Sequence, residues 1–186
     1  NFTEEVLNGD IHTANMKMAG LTDRDQAKTF IYAFMYGAGA SKIGKIVGKG
    51  AKEGQLLIDR FLSNMPALKR VRDSVTETAK RGKIRGIDGR LLYVRSPHSA
   101  LNTLLQGAGA VVCKLWLINM NKRIVQTGVD AKLVASIHDE YQYEVAKKDV
   151  KRFGSITKDA MKDTEHQLKM KCPLDSEWKE GTTWAE

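Results

Sequence analysis

The apolar residues of this chain change their spacing along its length, and the order of those changes limits the folds open to it. Through residue 80 they recur every three or four positions, the spacing of helices. Residues 83–95 break the pattern. Ile84, Ile87, Leu92 and Val94 flank Asp88-Gly89, a strong turn signal for an antiparallel hairpin. A helical run returns over residues 98–127, and two short strand-like segments, 132–137 and 141–145, then flank His138-Asp139-Glu140. A parallel sheet needs a long crossover between strands. Helices, hairpin, long helix, hairpin and helix in that order predict an α+β fold instead, helical first and carrying antiparallel hairpins later.

Residues 10–19 are predicted to form a short helix capped by Asp10 or Thr13. A second helix starts near Thr22, with Thr22 or Asp23 as cap and Phe30 and Phe34 on its buried face. It ends in Gly37-Ala38-Gly39-Ala40, where glycine leaves helical geometry at little cost. Residues 41–47 supply another short helical turn. Residues 52–80 read as two helices divided at Asn64 and Pro66. Leu56, Leu57, Phe61 and Leu62 form one apolar stripe, and Leu68, Val71, Val75 and Ala79 the next. The long helix carries Leu101, Leu104, Leu105, Ala108, Val112, Leu115 and Ile118, while Gly107 and Gly109 leave one side bare for another backbone or a ligand. Val150, Phe153, Ile156 and Met161 mark a last helix, and the tail with Trp178 and Trp184 is expected as packed coil or a short strand.

Thirty Lys and Arg against 22 Asp and Glu give a formal charge of +8, which favours a polyanionic partner such as nucleic acid. No uninterrupted apolar run approaches the roughly 20 residues of a membrane span, so no membrane partner is expected. No signal peptide or internal repeat is visible. The chain opens Asn-Phe-Thr-Glu-Glu without an initiator Met, so its N-terminus is expected to be cut or processed. Cys113 and Cys172 lack metal-ligand spacing, which points to a reduced, intracellular compartment, and four scattered histidines offer no zinc cluster.

Two groups of residues carry candidate chemistry. Arg24, Lys28, Tyr32 and Tyr36 recur at a spacing of four, which sets them along one side of a helix. A triphosphate could lie along the two cations, near the positive end of the helix, with a flat aromatic one turn further on for the sugar or base. His12 could add a donor. The same spacing also suits an ordinary solvated cation pair and core-packed tyrosines. The second group, His138-Asp139-Glu140, places adjacent carboxylates at a tight turn. A hard cation such as magnesium would relieve their repulsion, although acidic residues are common in any polar turn.

Together these features resemble the family A DNA polymerases, the bacterial polymerase I class, and most closely the replicative polymerases of short-tailed phages. Arg24-Asp25-Gln26-Ala27-Lys28-Thr29-Phe30-Ile31-Tyr32, continuing to Tyr36-Gly37-Ala38-Gly39, resembles motif B on the main fingers helix. His138-Asp139-Glu140 resembles motif C. Arg95-Ser96-Pro97-His98-Ser99-Ala100-Leu101-Asn102-Thr103-Leu104-Leu105-Gln106 resembles the segment leading into the long palm helix, and Gly9-Asp10-Ile11-His12-Thr13 the stretch upstream of motif B.

The resemblance implies roles. Arg24 and Lys28 bind the incoming triphosphate, Lys28 protonates the leaving pyrophosphate, His12 approaches the phosphates and Tyr32 sits beside the sugar. Tyr36 and Gly37 face the template and nascent pair. His98, Asn102 and Gln106 track the duplex, Arg90 and Arg95 contact phosphate, and His138 touches the primer end. Asp139 holds two Mg2+ ions with Glu140 as a weaker accessory. The implied partners are primer-template DNA and dNTP, in the cytoplasm of a phage-infected bacterial cell.

Family palms also carry an Asp at the end of a central strand, followed by Ser and a Glu-Leu-Arg-like run. This sequence lacks that motif, so another chain or upstream segment is expected to bring it, with the thumb and any exonuclease. The implied organisation is a helical fingers portion over about 1–86 and a partial palm over about 87–186. Two other readings stand beside it. A single-subunit RNA polymerase shares the Arg…Lys…Tyr-Gly helix and the His-Asp pair, but Tyr32 at the ribose-excluding slot and Glu140 after His-Asp disfavour it. A non-catalytic basic nucleic-acid-binding module fits the charge and leaves the two groups of residues without a purpose.

Overall fold

A computed structural model describes residues 2–183, so Trp184 lies outside the described residues. The chain divides into two compact units, Asn1–Gln106 and Gly107–Glu186.

The first unit is helical with one small hairpin. Helices α1 (Phe2–Asn8), α2 (Ile11–Ala19), α3 (Arg24–Met35), α4 (Ala40–Ile46), α5 (Ala51–Asn64) and α6 (Pro66–Ala79) lead into strands β1 (Lys83–Arg85) and β2 (Leu91–Tyr93). Helix α1 was not anticipated; it has no strong apolar stripe to announce it. Asp10 caps α2 by accepting from the His12 and Thr13 N–H groups, and Asp23 caps α3 by accepting from that of Asp25. Pro66 starts α6 at its first turn, as its missing N–H allows, and the Asn64 amide at the break donates to the Met18 carbonyl at 2.8 Å.

The core of this unit joins Ala19, Phe30, Phe34, Ile43, Ile58, Phe61, Leu62 and Leu101. Phe30 and Phe61 meet edge to face at 5.3 Å between centroids. Leu56 and Val71, expected in the apolar stripes, are exposed instead. In α5 the buried stripe runs through Gly54, Ile58, Phe61 and Leu62, because α5 meets α4 through glycine. A Cβ on Gly54 would fall on the Ala40 carbonyl and the Gly44 nitrogen, so no larger residue lets the two backbones come this close. The hairpin pairs Lys83 with Tyr93 and Arg85 with Leu91, and Ile84 and Val94 close a small second core with Ala79 and Ala100.

Helix α7 (Ala100–Thr127) follows a single 3-10 turn, Pro97–Ser99, that holds His98, so the expected helix begins two residues late. The stretch Pro97–Thr127 is long and apolar enough to cross a membrane by length and composition, although Asn102, Gln106 and Lys114 interrupt its apolar residues. Its Leu101 lies in the helical core, and Trp116 and Met120 lie in a core with α8 (Val150–Leu168). Leu105 and Ile118, among its apolar residues, are exposed.

In the second unit, Trp116 donates from its indole to the Thr157 carbonyl at 2.9 Å, and Arg123 forks onto Asp163 at 2.7 and 3.0 Å. Strands β3 (Ala131–Ile137) and β4 (Glu140–Val145) pair antiparallel with an irregularity between Leu133 and Ala135. Tyr141 and Tyr143 pack toward Trp116 and Phe153 at 5.3 and 4.7 Å between rings. Leu133, Val134 and Ile137 remain exposed. Beyond α8 the tail is coil: Leu174 donates its N–H to Glu165, and Trp178 lies so close to Gly154 that a Cβ there would overlap its ring. The α+β architecture with two antiparallel hairpins and a long helix is as the sequence predicts.

Candidate active-site residues

Helix α3 presents two faces. Ala27, Phe30 and Phe34 turn into the core, while Arg24, Lys28 and Tyr32 are exposed on the other side, with Tyr36 as the C-cap just beyond. Tyr32 is 48% exposed and Tyr36 58%, which rules out core packing for either. Among the described residues the Lys28 ammonium has no acidic partner and the Tyr32 hydroxyl no hydrogen bond. His12, on α2, brings its ring to 6.4 Å from that of Tyr32. A recess of about 340 Å3 opens here, lined by Ile11, His12, Asn15, Ile31, Tyr32, Met35 and Tyr36. Asn15 is buried and its Oδ1 has no protein partner, nor has His12 Nδ1. Nothing in the sequence singled out Asn15; its burial depends on how α2 crosses α3.

Arg24 is not free. Its Nε donates to Asp10 Oδ2 at 2.9 Å and its Nη2 to Asp10 Oδ1 at 3.2 Å. The Arg24 guanidinium holds the Asp10 carboxyl well below the usual range, with the Thr13 hydroxyl adding to the effect. Asp10 was readable as a helix cap, but a pairing fourteen residues away was not.

Gly37 takes a positive φ of 81°, and a Cβ there would come within 3.3 Å of the His98 carbonyl. This sets Tyr36-Gly37 beside the turn that leads into α7. His98 and Gln106 are exposed and Asn102 is half-buried with its Oδ1 unpartnered. Arg95 is exposed, whereas Arg90 is engaged by Asp88 at 2.6 Å across the hairpin turn.

In the second unit the acidic turn is tighter than expected. Ile137 pairs with Glu140, so only His138 and Asp139 form the turn, and Glu140 is the first residue of β4. His138 adopts a positive φ of 54°, as two-residue hairpin turns require at their first position. Gln142, one pleat along the same face, donates to Glu140 Oε1 at 2.8 Å and holds that carboxylate in place. Asp139 accepts no hydrogen bond among the described residues. It lies near Cys113 of α7, where burial first and the Asp139 charge second push the thiol up. The donors are carboxylate oxygens, suited to a hard ion such as magnesium. Among the described residues no three His, Cys, Asp or Glu side chains gather into a metal cluster, so a site here would need ligands beyond these two.

Two helical and hairpin-bearing units of this kind occur in a known polymerase domain. The POL domain of Pol1 from M. smegmatis, solved in complex with DNA primer-template and dNTP, matches with a TM-score of 0.78 over 88% of this chain and 33% of that one, at 20% identity. The chain belongs to DNA polymerase family A, whose sequence model matches residues 5–186. It is 42% identical over its whole length to the DNA-directed DNA polymerase of Enterobacteria phage T3, and 44% identical over 98% of its length to that of Escherichia phage Phieco32. It spans 29% and 31% of those two relatives. DNA polymerase I of Bacillus subtilis is 26% identical over 87% of the chain.

Proposed function

We propose that these residues form the fingers portion, about 1–86, and the C-terminal palm portion, about 87–186, of a DNA polymerase that extends a primer by two-metal phosphoryl transfer. The observation that carries the reading is the exposed Arg24, Lys28, Tyr32 and Tyr36 face of α3, opposite a phenylalanine core, in a chain 42–44% identical to phage DNA polymerases. A polyphosphate lies along Arg24 and Lys28, with His12 at its side. Arg24 contributes binding; the Lys28 ammonium also donates a proton to the departing pyrophosphate. Tyr32 flanks the sugar, and Tyr36 with Gly37 meets the template base.

Asp139 binds magnesium with Glu140 as accessory, and a further aspartate comes from sequence beyond these residues. The metal, when bound, neutralises charge on the entering and leaving oxygens. His138 meets the primer end, while His98, Asn102, Gln106, Arg90 and Arg95 follow the duplex, chiefly through its phosphates. Such a polymerase works in the cytoplasm of an infected bacterial cell. Taken alone, the 186 residues are inactive, and the exposed Leu133, Val134 and Ile137 beside the open edges of β3 and β4 favour aggregation.

The deciding assay is magnesium-dependent primer extension by the complete polymerase with dNTP or NTP. Lys28→Ala slows the chemical step while duplex affinity stays the same. Loss of duplex affinity alone would instead assign α3 to a DNA-binding module, and preference for NTP would assign the chain to an RNA polymerase.

A further inference from the structure

The Asp10–Arg24 pair joins the first turns of two helices, and its geometry uses only part of each group. Asp10 Oδ1 accepts from the backbone N–H groups of His12 and Thr13 at 3.0 and 3.3 Å, and from Arg24 Nη2 at 3.2 Å. Its Oδ2 accepts from the Thr13 hydroxyl at 2.8 Å and from Arg24 Nε at 2.9 Å. Five donors on two oxygens fill the roughly four lone-pair sites of a carboxylate and pin it to the start of α2. The carboxylate is therefore a fixed anchor, and the arginine is the mobile member that it restrains.

Arg24 meets this anchor with its Nε/Nη2 edge. A guanidinium has a second usable edge, made by its two terminal nitrogens, and five N–H donors in a rigid plane. Both Nη1 hydrogens and the outer Nη2 hydrogen remain for another acceptor. Both side chains are about half exposed, so a ligand can reach that edge from solvent.

We propose that Asp10 is a positioning residue for the nucleoside triphosphate: it holds Arg24 side-on so that the terminal edge of the guanidinium is presented to the phosphates. The proposal rests on the nucleotide-binding reading of α3. It also gives the Gly9–Thr13 stretch a second task, because one carboxylate caps the helix carrying His12 and orients the arginine on the next helix. Without the anchor, Arg24 samples many rotamers and must be ordered by the ligand itself. Complete loss of that pre-ordering represents at most about thirtyfold in affinity. For a half-exposed pair the expected effect is smaller, about three- to tenfold.

The test uses the complete polymerase, single-turnover incorporation of one dNTP, and the variants Asp10→Asn, Asp10→Ser and Arg24→Ala. Asn and Ser both keep a side-chain cap for α2 but cannot clamp a guanidinium. Protection of the α2 amides from hydrogen exchange checks that the cap survives. The expected result is an apparent dNTP Kd raised about three- to tenfold in both cap-preserving variants, with the maximal incorporation rate held within about twofold. In an Arg24→Ala background the Asp10→Asn effect disappears. A fall in Kd for Asp10→Asn would show that Asp10 competes with the phosphates and would overturn the proposal. So would an unchanged Kd, or an equal effect with and without Arg24. If Arg24→Ala itself leaves Kd unchanged, the nucleotide reading of α3 fails and this proposal falls with it. If Arg24→Ala weakens binding and Asp10→Asn does not, only the proposal fails.

Discussion

Replacing Gly54 by alanine tests the glycine contact between α4 and α5. The new methyl would overlap the Ala40 carbonyl and the Gly44 nitrogen, both backbone atoms of α4 that cannot swing aside as a side chain can. Two effects oppose each other. Alanine is favoured over glycine inside a helix by about 1 kcal/mol. Overpacking a tight core costs about 1–3 kcal/mol, and rigid obstacles put this site at the upper end. Moving α5 away would also loosen Ile58 and Phe61 against Ile43, which share the core. The net expectation is a loss of about 1–2 kcal/mol, or a factor of about 5–30 in the local opening equilibrium. Amide hydrogen exchange on α4 and α5 reads this directly. Gly109→Ala is the control with the opposite sign. It lies within α7 with nothing inside 4 Å of the added methyl, so protection there should rise by up to about fivefold. Unchanged or increased protection around Gly54 would show that α4 and α5 do not rely on that backbone contact.

Three further outcomes are expected. Asp139→Asn in the complete polymerase removes a charge while keeping size, so turnover is abolished and DNA affinity is preserved; near-normal rates would separate this turn from the metal site. Tyr32→Phe makes the enzyme reject dideoxynucleotides by about ten- to a hundredfold relative to the parent, because the unbonded phenol no longer replaces the missing 3′-hydroxyl; equal selectivity in a competition assay would remove Tyr32 from the sugar. Burial, with the Tyr141 charge second, pushes Tyr143 up to about 12 from an ordinary 10. Its ionisation therefore favours the unfolded chain, so stability holds below pH 10 on this account and falls between about 10 and 12. Urea midpoints that decline equally in Tyr143→Phe would refute that cause.

The fold was legible where local chemistry decides it. Asp88-Gly89 marked its hairpin, Pro66 its helix break, and Asp10 and Asp23 their caps, because each acts through atoms a few residues away. The order of elements followed from the spacing of apolar residues. Which apolar residues are buried was less legible. Leu56 and Val71 have the right character but the wrong phase; for α5, the glycine contact with α4 sets which face turns inward. The α3 face was legible as a pattern, because Phe30 and Phe34 already marked the opposite side of the helix as the buried one. The Asp10–Arg24 clamp, the buried Asn15 and the Gln142 brace on Glu140 were hidden, because each depends on elements crossing or pairing in space.

The two-residue turn at His138-Asp139 also restricts how this gene segment can vary in length. Ile137 and Glu140 are already paired, so nothing can be deleted between them without unpairing the strands. One inserted residue would advance the chain by about 3.3 Å and reverse the alternation of every side chain after it. Tyr141 and Tyr143 would then leave the helices they pack against, and Glu140 with its Gln142 neighbour would turn together to the opposite face. Length changes among related chains should therefore gather in segments such as the coil after Leu168, where no strand ladder sets a register. The hairpin acts as a fixed gauge, and the distance from the β-ladder to the Asp139 carboxylate is the dimension that it keeps.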